Sequence, residues 1–219
     1  MPSIPEKTPA HETVYRHIRD RILYGDLAPG QAVTIHGLAS ETGASMTPVR
    51  EAIRRLSAEG ALEFQGNRRV LVPRMTPERL AELAFARLAI EPELSNIAAR
   101  ISPDDAPAQL IGIDNSLNAA IANGDAKSYM RTNHAFHFTL YGWSGSTILL
   151  PLAESLWLRF GPLYRIISGR YGTQNLIDRH EEAIHALARR DSAGVAAAIR
   201  GDIEQGLEIV RGALDAGEI

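Results

Sequence analysis

Apolar residues recur at three- and four-residue spacing along most of this chain, and β-prone runs are confined to one short stretch. Val14, Ile18 and Ile22 mark a first helix ending near Tyr24 and Gly25, followed by a turn at 26–30 that contains Pro29 and Gly30. Ile35, Leu38 and Ala39 form the apolar face of a short helix that Thr34 can cap, and Gly43 lets the chain turn sharply behind it. A second helix starts at Ser45, whose side-chain oxygen is expected to cap free amides. Pro48 fits its first turn, Val49, Ile53 and Leu56 repeat at helical spacing, and Gly60 ends the run. Residues 61–64 and 70–72 are β-prone runs around Gln65, Gly66, Asn67, Arg68 and Arg69, a turn rich in donors and positive charge. That hairpin is the expected wing.

Beyond Pro73 the β signal disappears and capped helical segments follow one another. Thr76 and Pro77 open a helix running towards Ile101, with a bend expected near Pro92. Residues 102–105 open the next, ending at Asn123 and Gly124. Asp125 starts a third, reaching Tyr141 and Gly142. A fourth begins around Ser146 and is expected to be interrupted at Gly161 and Pro162, a fifth runs from about Asn175 to Arg190, and Asp191 caps a last one to about Leu214. The pattern predicts a mainly α protein. Residues 1–75 form a winged helix-turn-helix, with 1–9 a loose arm, and 76–219 form an all-α bundle.

The outer face of the helix after Ser45 carries Thr47, Arg50, Arg54 and Arg55. Each residue alone suits an ordinary surface helix. A helix with one apolar and one Arg/Thr face, joined by a tight turn to a helix behind it, can enter the DNA major groove while anchored to a core. Guanidinium suits both base edges and phosphates. The block resembles the GntR family of bacterial transcription regulators, whose recognition helix carries a motif close to S-R-T-P-V-R-E-A-L-R-R-L followed by E-G. Here it reads Ser45-Met46-Thr47-Pro48-Val49-Arg50-Glu51-Ala52-Ile53-Arg54-Arg55-Leu56, then Glu59-Gly60. The resemblance implies DNA contacts from Ser45, Thr47, Arg50, Arg54 and His36, with Asn67, Arg68 and Arg69 on the wing. It also shows departures: Met46 stands where the family usually has a basic residue, His36 where Arg is common, and Arg69 where the wing usually has glycine.

Composition changes this picture little. The net charge of -3 hides an asymmetry: ten Lys/Arg against eight Asp/Glu through Met75, thirteen against eighteen afterwards, so the first part tolerates phosphate better. The absence of cysteine excludes disulfides and thiolate metal sites and agrees with a reducing cytoplasm. No apolar run approaches a membrane span, and the first ten residues lack a signal-peptide core. The expected location is cytoplasmic.

Candidate chemistry lies where polar residues interrupt apolar stripes. Met130, Asn133, His137 and Leu140 share one helical face; His180, Ile184 and Leu187 share another; Val195, Ala198, Ile199, Asp202 and Ile209 share a third. A buried aspartate needs a cation or strong donors, and imidazole with carboxylate is a plausible set for a divalent ion. A histidine on an apolar face is otherwise a hydrogen-bonded core residue. Arg87 lies on the stripe Leu80, Ala84, Arg87, Glu91, Leu94, where it either pairs with Glu91 or meets an anionic ligand. Tyr129, Arg131, Trp157 and Arg165 are further candidates for a pocket wall.

The chain from about Leu80 onward resembles the FCD domain of the FadR-type branch of GntR regulators. Glu82-Leu83 through Arg87, Glu91-Pro92-Glu93-Leu94 and Ala98-Ala99 are similar to its first helix. Asn133-His134-Ala135-Phe136-His137 is similar to its D-x-x-F-H, and the segment at His180 to its H-x-x-I-x-x-A-I. Many members bind a divalent metal through Asp, His, His and His in that order. Here Asn133 stands for the Asp and Asp202 for the last His, which keeps one carboxylate but moves it to another helix. The resemblance implies zinc or another late transition metal on His137, His180 and Asp202, with Asn133 as ligand or effector donor, and Arg87 clamping a small carboxylate effector.

These readings converge on a homodimeric, ligand-responsive transcription factor on a near-palindromic double-stranded DNA operator, and the resemblance implies a repressor released by a small carboxylate. Two alternatives stand beside it: a metal-dependent enzyme carrying a DNA-binding module, and an architectural DNA-binding protein without effector.

Overall fold

The structure, a computed structural model, describes residues 9–66, 69–170 and 177–218, with the backbone alone at 164–170. The N-terminal unit contains α1 (Ala10–Leu23), β1 (Ala32–Val33), α2 (Ile35–Thr42), α3 (Met46–Ala58), β2 (Glu63–Gln65) and β3 (Arg69–Leu71). Val14, Ile18 and Ile22 on α1 and Val49, Ile53 and Leu56 on α3 are buried in one core. Each such side chain stabilises the fold by roughly 1.5–3 kcal/mol relative to exposure, which fixes α3 with its arginines outward. Thr34 caps α2 by accepting from the Gly37 N–H at 3.0 Å, and Gly43 turns the chain at φ +67°. Ser45 does occupy the N-cap of α3 with extended backbone, but its side chain makes no capping bond, contrary to the expectation.

The sheet differs from the expected hairpin. β1 pairs antiparallel with β3 on the side opposite β2, giving three strands in the order β1-β3-β2, with Val33 opposite Val70 and Phe64 opposite Val70 from the other side. Two residues carry too little pattern to announce β1; its partner makes it a strand.

The second unit consists of α4 (Pro77–Ile101), α5 (Ala106–Ala122), α6 (Ala126–Gly142), α7 (Leu149–Arg170), α8 (Arg179–Ala188) and α9 (Ser192–Asp215). Thr76, Asp125, Asp178 and Asp191 each accept a backbone N–H three residues on, so side-chain oxygens set these starts. This corrects the expected fifth helix: Asp178 caps it and it begins at Arg179, while 171–176 lie outside the described residues. It also corrects α7, which continues through Gly161 and Pro162 because Phe160 and Leu163 on either side are buried and hold the turn in place. α4 likewise runs on through Pro92. α4 lies against α9, α9 against α8, and α5 against α6, while α7 touches α4, α6 and α9 on one side and α1 on the other.

Candidate functional site

Three helices bring together the polar residues that interrupt their apolar stripes. His137 on α6, His180 on α8 and Asp202 on α9 each offer a ligand atom, and these atoms lie within 4.8 Å of one another. His137 Nε2 stands 3.2 Å from Asp202 Oδ2 and 3.3 Å from His180 Nε2; His180 Nε2 stands 3.9 Å from Asp202 Oδ1.

The outer hydrogen bonds decide what these atoms present. Arg87 Nε donates to Glu91 Oε1 at 2.6 Å and its NH2 group to Oε2 at 3.1 Å, while Trp157 Nε1 and Tyr141 OH each donate to Oε2 at 2.8 Å. With its proton committed to Glu91, the Tyr141 oxygen accepts from His137 Nδ1 at 3.0 Å. On the other side Asp114 Oδ1 accepts from His180 Nδ1 at 3.1 Å. Both imidazoles thus carry their proton on Nδ1 and turn an Nε2 lone pair inward. Burial lowers the His137 pKa and keeps that imidazole neutral. The two carboxylate oxygens of Asp202 face these Nε2 atoms. Two lone pairs and a carboxylate therefore face one another, an arrangement that a cation relieves. The donor set fits a divalent late transition metal.

A cavity of about 310 Å³ opens beside this cluster, lined in part by Arg87, Asn118, Tyr129, Asn133, His180 and Asp202. Its volume is near the lower end of small-molecule sites. Asn133 is placed at this wall, consistent with either expected role. Arg87 lines the wall too, but it is 2% exposed and its charge is met by Glu91, so the intrahelical pair describes it better than a free anion clamp. Trp157 is buried behind Glu91, and Arg131 lies over the Tyr24 ring at 4.3 Å, away from the cavity wall where it was expected. The Arg165 side chain lies outside the described residues.

Asp114 was missed from sequence. Its signal was available: it sits between Leu110 and Leu117 on the buried face of α5, the same lone acid in an apolar stripe that marked Asp202. His134, beside the polar cluster in sequence, occupies the junction of the two units. Its ring stacks on Phe138 at 4.2 Å and meets Tyr24 of the N-terminal unit edge-on at 5.8 Å, and its buried Nε2 has no hydrogen-bond partner. Burial first, then the charges of Arg19 and His137, lower its pKa from 6.5 to about 3. Between these values the unfolded chain binds a proton that the folded chain refuses, so stability must fall as pH drops from 6.5 towards 3. His134→Phe is expected to flatten that acid limb of the stability curve and to raise stability at pH 7 by about 1–2 kcal/mol, because an unsatisfied polar atom is removed. Urea unfolding across pH checks both; an unchanged acid limb would assign it to other groups.

On the DNA-facing side, Ser45, Thr47, Arg50 and Arg54 are exposed on or just before α3, His36 is exposed on α2, and Arg69 on β3. Asn67 and Arg68 lie outside the described residues. Arg50 and Arg54 make no ion pair with described residues. Arg55, expected on the same face, is instead held by its own unit: it bonds Glu12 at 3.0 Å and Glu59 at 3.1 Å and lies over Tyr15 at 3.5 Å.

A winged helix with exposed arginines that make no ion pair among the described residues, joined to a helical bundle that holds a His/Asp cluster beside a cavity, defines a DNA-binding regulator with a ligand-binding domain. The chain belongs to the GntR family of bacterial transcription regulators: residues 10–72 match the model of the gntR family of bacterial regulatory proteins, and residues 71–205 match the FCD domain. It is similar to the HTH-type transcriptional regulator McbR of Escherichia coli K12, with 28% identity over 90% of each chain. It is also similar to the transcriptional repressor GlaR of the same organism, with 24% identity over 91% of this chain and 95% of that one. The solved structure of E. coli McbR superposes with a TM-score of 0.87 at 25% identity, covering 94% of this chain and 99% of that one. The family and these relatives are transcription regulators, so the protein is a DNA-binding regulator and the enzyme alternative falls. No described helix is long and apolar enough to cross a membrane.

Proposed function

We propose that this protein is a cytoplasmic, homodimeric repressor that releases a near-palindromic operator when its FCD domain binds a small carboxylate, with a divalent ion held by His137, His180 and Asp202 and Asn133 at hand. The observation that carries the sensory part is the convergence of three candidate ligand atoms beside a cavity large enough for a metabolite, with His180 and Asp202 in its wall and His137 buried behind them. A bound ion supplies a Lewis-acidic anchor for a carboxylate oxygen. Asp114 orients His180, and the Tyr141–Glu91 pair orients His137. Because Arg87 is already met by Glu91, it works as a wall donor rather than as the main counter-charge. An architectural protein without effector has no use for such a cavity. Relatives with repressor names, such as the gluconate operon repressor of Bacillus licheniformis, 24% identical over 80% of this chain, support the direction of regulation.

Dimerisation is supported by exposed apolar side chains on α4 and at the start of α7: Phe85 on α4 is 78% exposed, Ile148 in the turn before α7 71% and Leu152 on α7 46%. A second copy covering them would set two recognition helices on the two halves of the operator. Native mass spectrometry before and after chelation tests the assignment: a dimer losing one divalent ion per chain is expected, and a metal-free monomer in both conditions overturns it.

Arg50 and Arg54 supply the free guanidinium groups on α3. Arg50→Ala is expected to weaken operator binding by about 1–3 kcal/mol if it reads a base. Fluorescence anisotropy at fixed salt measures this, with a scrambled duplex as control. Equal loss on both duplexes would reassign Arg50 to phosphate.

A further inference from the structure

The recognition helix is held from outside its own unit. Arg159, on the outer side of α7, donates from Nε to the backbone carbonyl of Glu59, the residue that ends α3, at 3.1 Å. Its guanidinium comes within 2.7–3.0 Å of where a Cβ would stand on Gly60, whose φ of +75° already favours glycine. A cation on the free carbonyls of a helix C-terminus is placed where both hydrogen bonding and the helix dipole favour it. Arg159 makes no ion pair with a carboxylate among the described residues, so its hold on α3 is not shared with an acid. Two residues further along, Gly161 lies directly against the backbone of Ile22 and Leu23 at the end of α1. One turn of α7 therefore touches both α1 and α3, which lie against each other.

The inner side of the same turn meets the polar site. Trp157 donates to Glu91, the acceptor shared with Arg87 and Tyr141, and its ring lies 4.9 Å from that of His137. Phe160 lines the cavity and lies 4.5 Å from the Arg87 guanidinium. A close-packed helical turn moves as a unit, so a shift on its inner side must appear on its outer side.

We propose that residues 157–161 of α7 set the pose of the recognition helix according to the state of the polar site, with Trp157 reading Glu91 and Arg159 as the positioning residue on α3. The regulatory part rests on the sensory reading above; the mechanical link stands without it.

Full-length protein with Trp157→Phe, Arg159→Ala and Arg159→Lys tests both parts. Arg159 is exposed, whereas Trp157→Phe removes the N–H to Glu91 together with part of a buried ring, so exchange at 57–62 is read relative to that in α5, which global destabilisation would quicken equally. Amide hydrogen exchange at 57–62 is expected to quicken at least about fivefold, the low end of site-to-site coupling, in Trp157→Phe and in Arg159→Ala, with partial recovery in Arg159→Lys. Unchanged exchange in Trp157→Phe reduces Arg159 to a static cap and overturns the link; unchanged exchange in Arg159→Ala overturns its positioning role. Operator affinity is then compared with Zn²⁺ and after chelation. Arg159→Ala is expected to bind Zn²⁺ as the wild type does while losing most of the difference in operator affinity, and a wild-type-sized difference overturns the proposal. If the wild type takes up no Zn²⁺, the sensory reading fails, and exchange still decides the mechanical link.

Discussion

Glu91→Ala is expected to destabilise the protein by on the order of 3–5 kcal/mol, the cost of breaking a buried ion pair by removing one of its members. Arg87 and Glu91 are 2% and 0% exposed, so removal of the carboxylate leaves the guanidinium poorly solvated. The same change strands the Trp157 N–H and the Tyr141 hydroxyl, both of which donate to Glu91 at 2.8 Å. Each stranded donor adds a penalty of about 1–3 kcal/mol, although the effects in one network are not additive. Against a net stability of roughly 5–15 kcal/mol for a domain, this is enough to populate unfolded protein near growth temperature. Thermal and denaturant unfolding followed by circular dichroism measures it. Trp157→Phe, which removes one donor and leaves the ion pair, should cost clearly less. A Glu91→Ala loss below about 1 kcal/mol would show that the network is not the central support of the bundle.

Gly161→Ala is expected to destabilise by about 1–3 kcal/mol through overpacking, although alanine is the better helix former by about 1 kcal/mol. A Cβ at this position would stand 2.6 Å from the Leu23 carbonyl oxygen, 2.7 Å from its Cα and 2.8 Å from the Ile22 oxygen. These are backbone atoms, so no rotamer change relieves the clash, and α1 and α7 must separate. The sign of the stability change is therefore decisive. Stabilisation would mean that helix propensity prevails and that the two helices part at little cost. Operator affinity measured on the same variant should fall as well, because α1 carries α3 with it.

How far these features were legible in the sequence varies with their origin. The helix-turn-helix was legible because Thr34, Gly43, Pro48 and Gly60 punctuate local geometry, and Val49, Ile53 and Leu56 fix which face is buried. Arg55 lies on the outer face as its spacing predicts, but its pairing with Glu12, 43 residues away, could not be read from the local pattern. α7 was expected to break at Gly161 and Pro162; contacts with α1, invisible to any local pattern, keep it whole. His137, His180 and Asp202, which the fold brings together, stood out because a lone polar residue in an apolar stripe violates local expectation. Asp114 broke the same rule on α5 and was passed over.

The sequence by itself determined most of the helical starts, the buried face of most helices and the set of polar residues placed on those faces, since capping and periodicity act within a few residues. Tertiary structure decided which of those polar residues meet. It turned both Nε2 atoms towards Asp202 through the Tyr141 and Asp114 hydrogen bonds, and assigned the charge of Arg87 to Glu91. It also set Arg159 and Gly161 against the DNA-binding unit. The physical reason is range: a hydrogen bond or a close approach between residues 50 or 100 positions apart depends on how helices stack, and no window along the chain contains both partners.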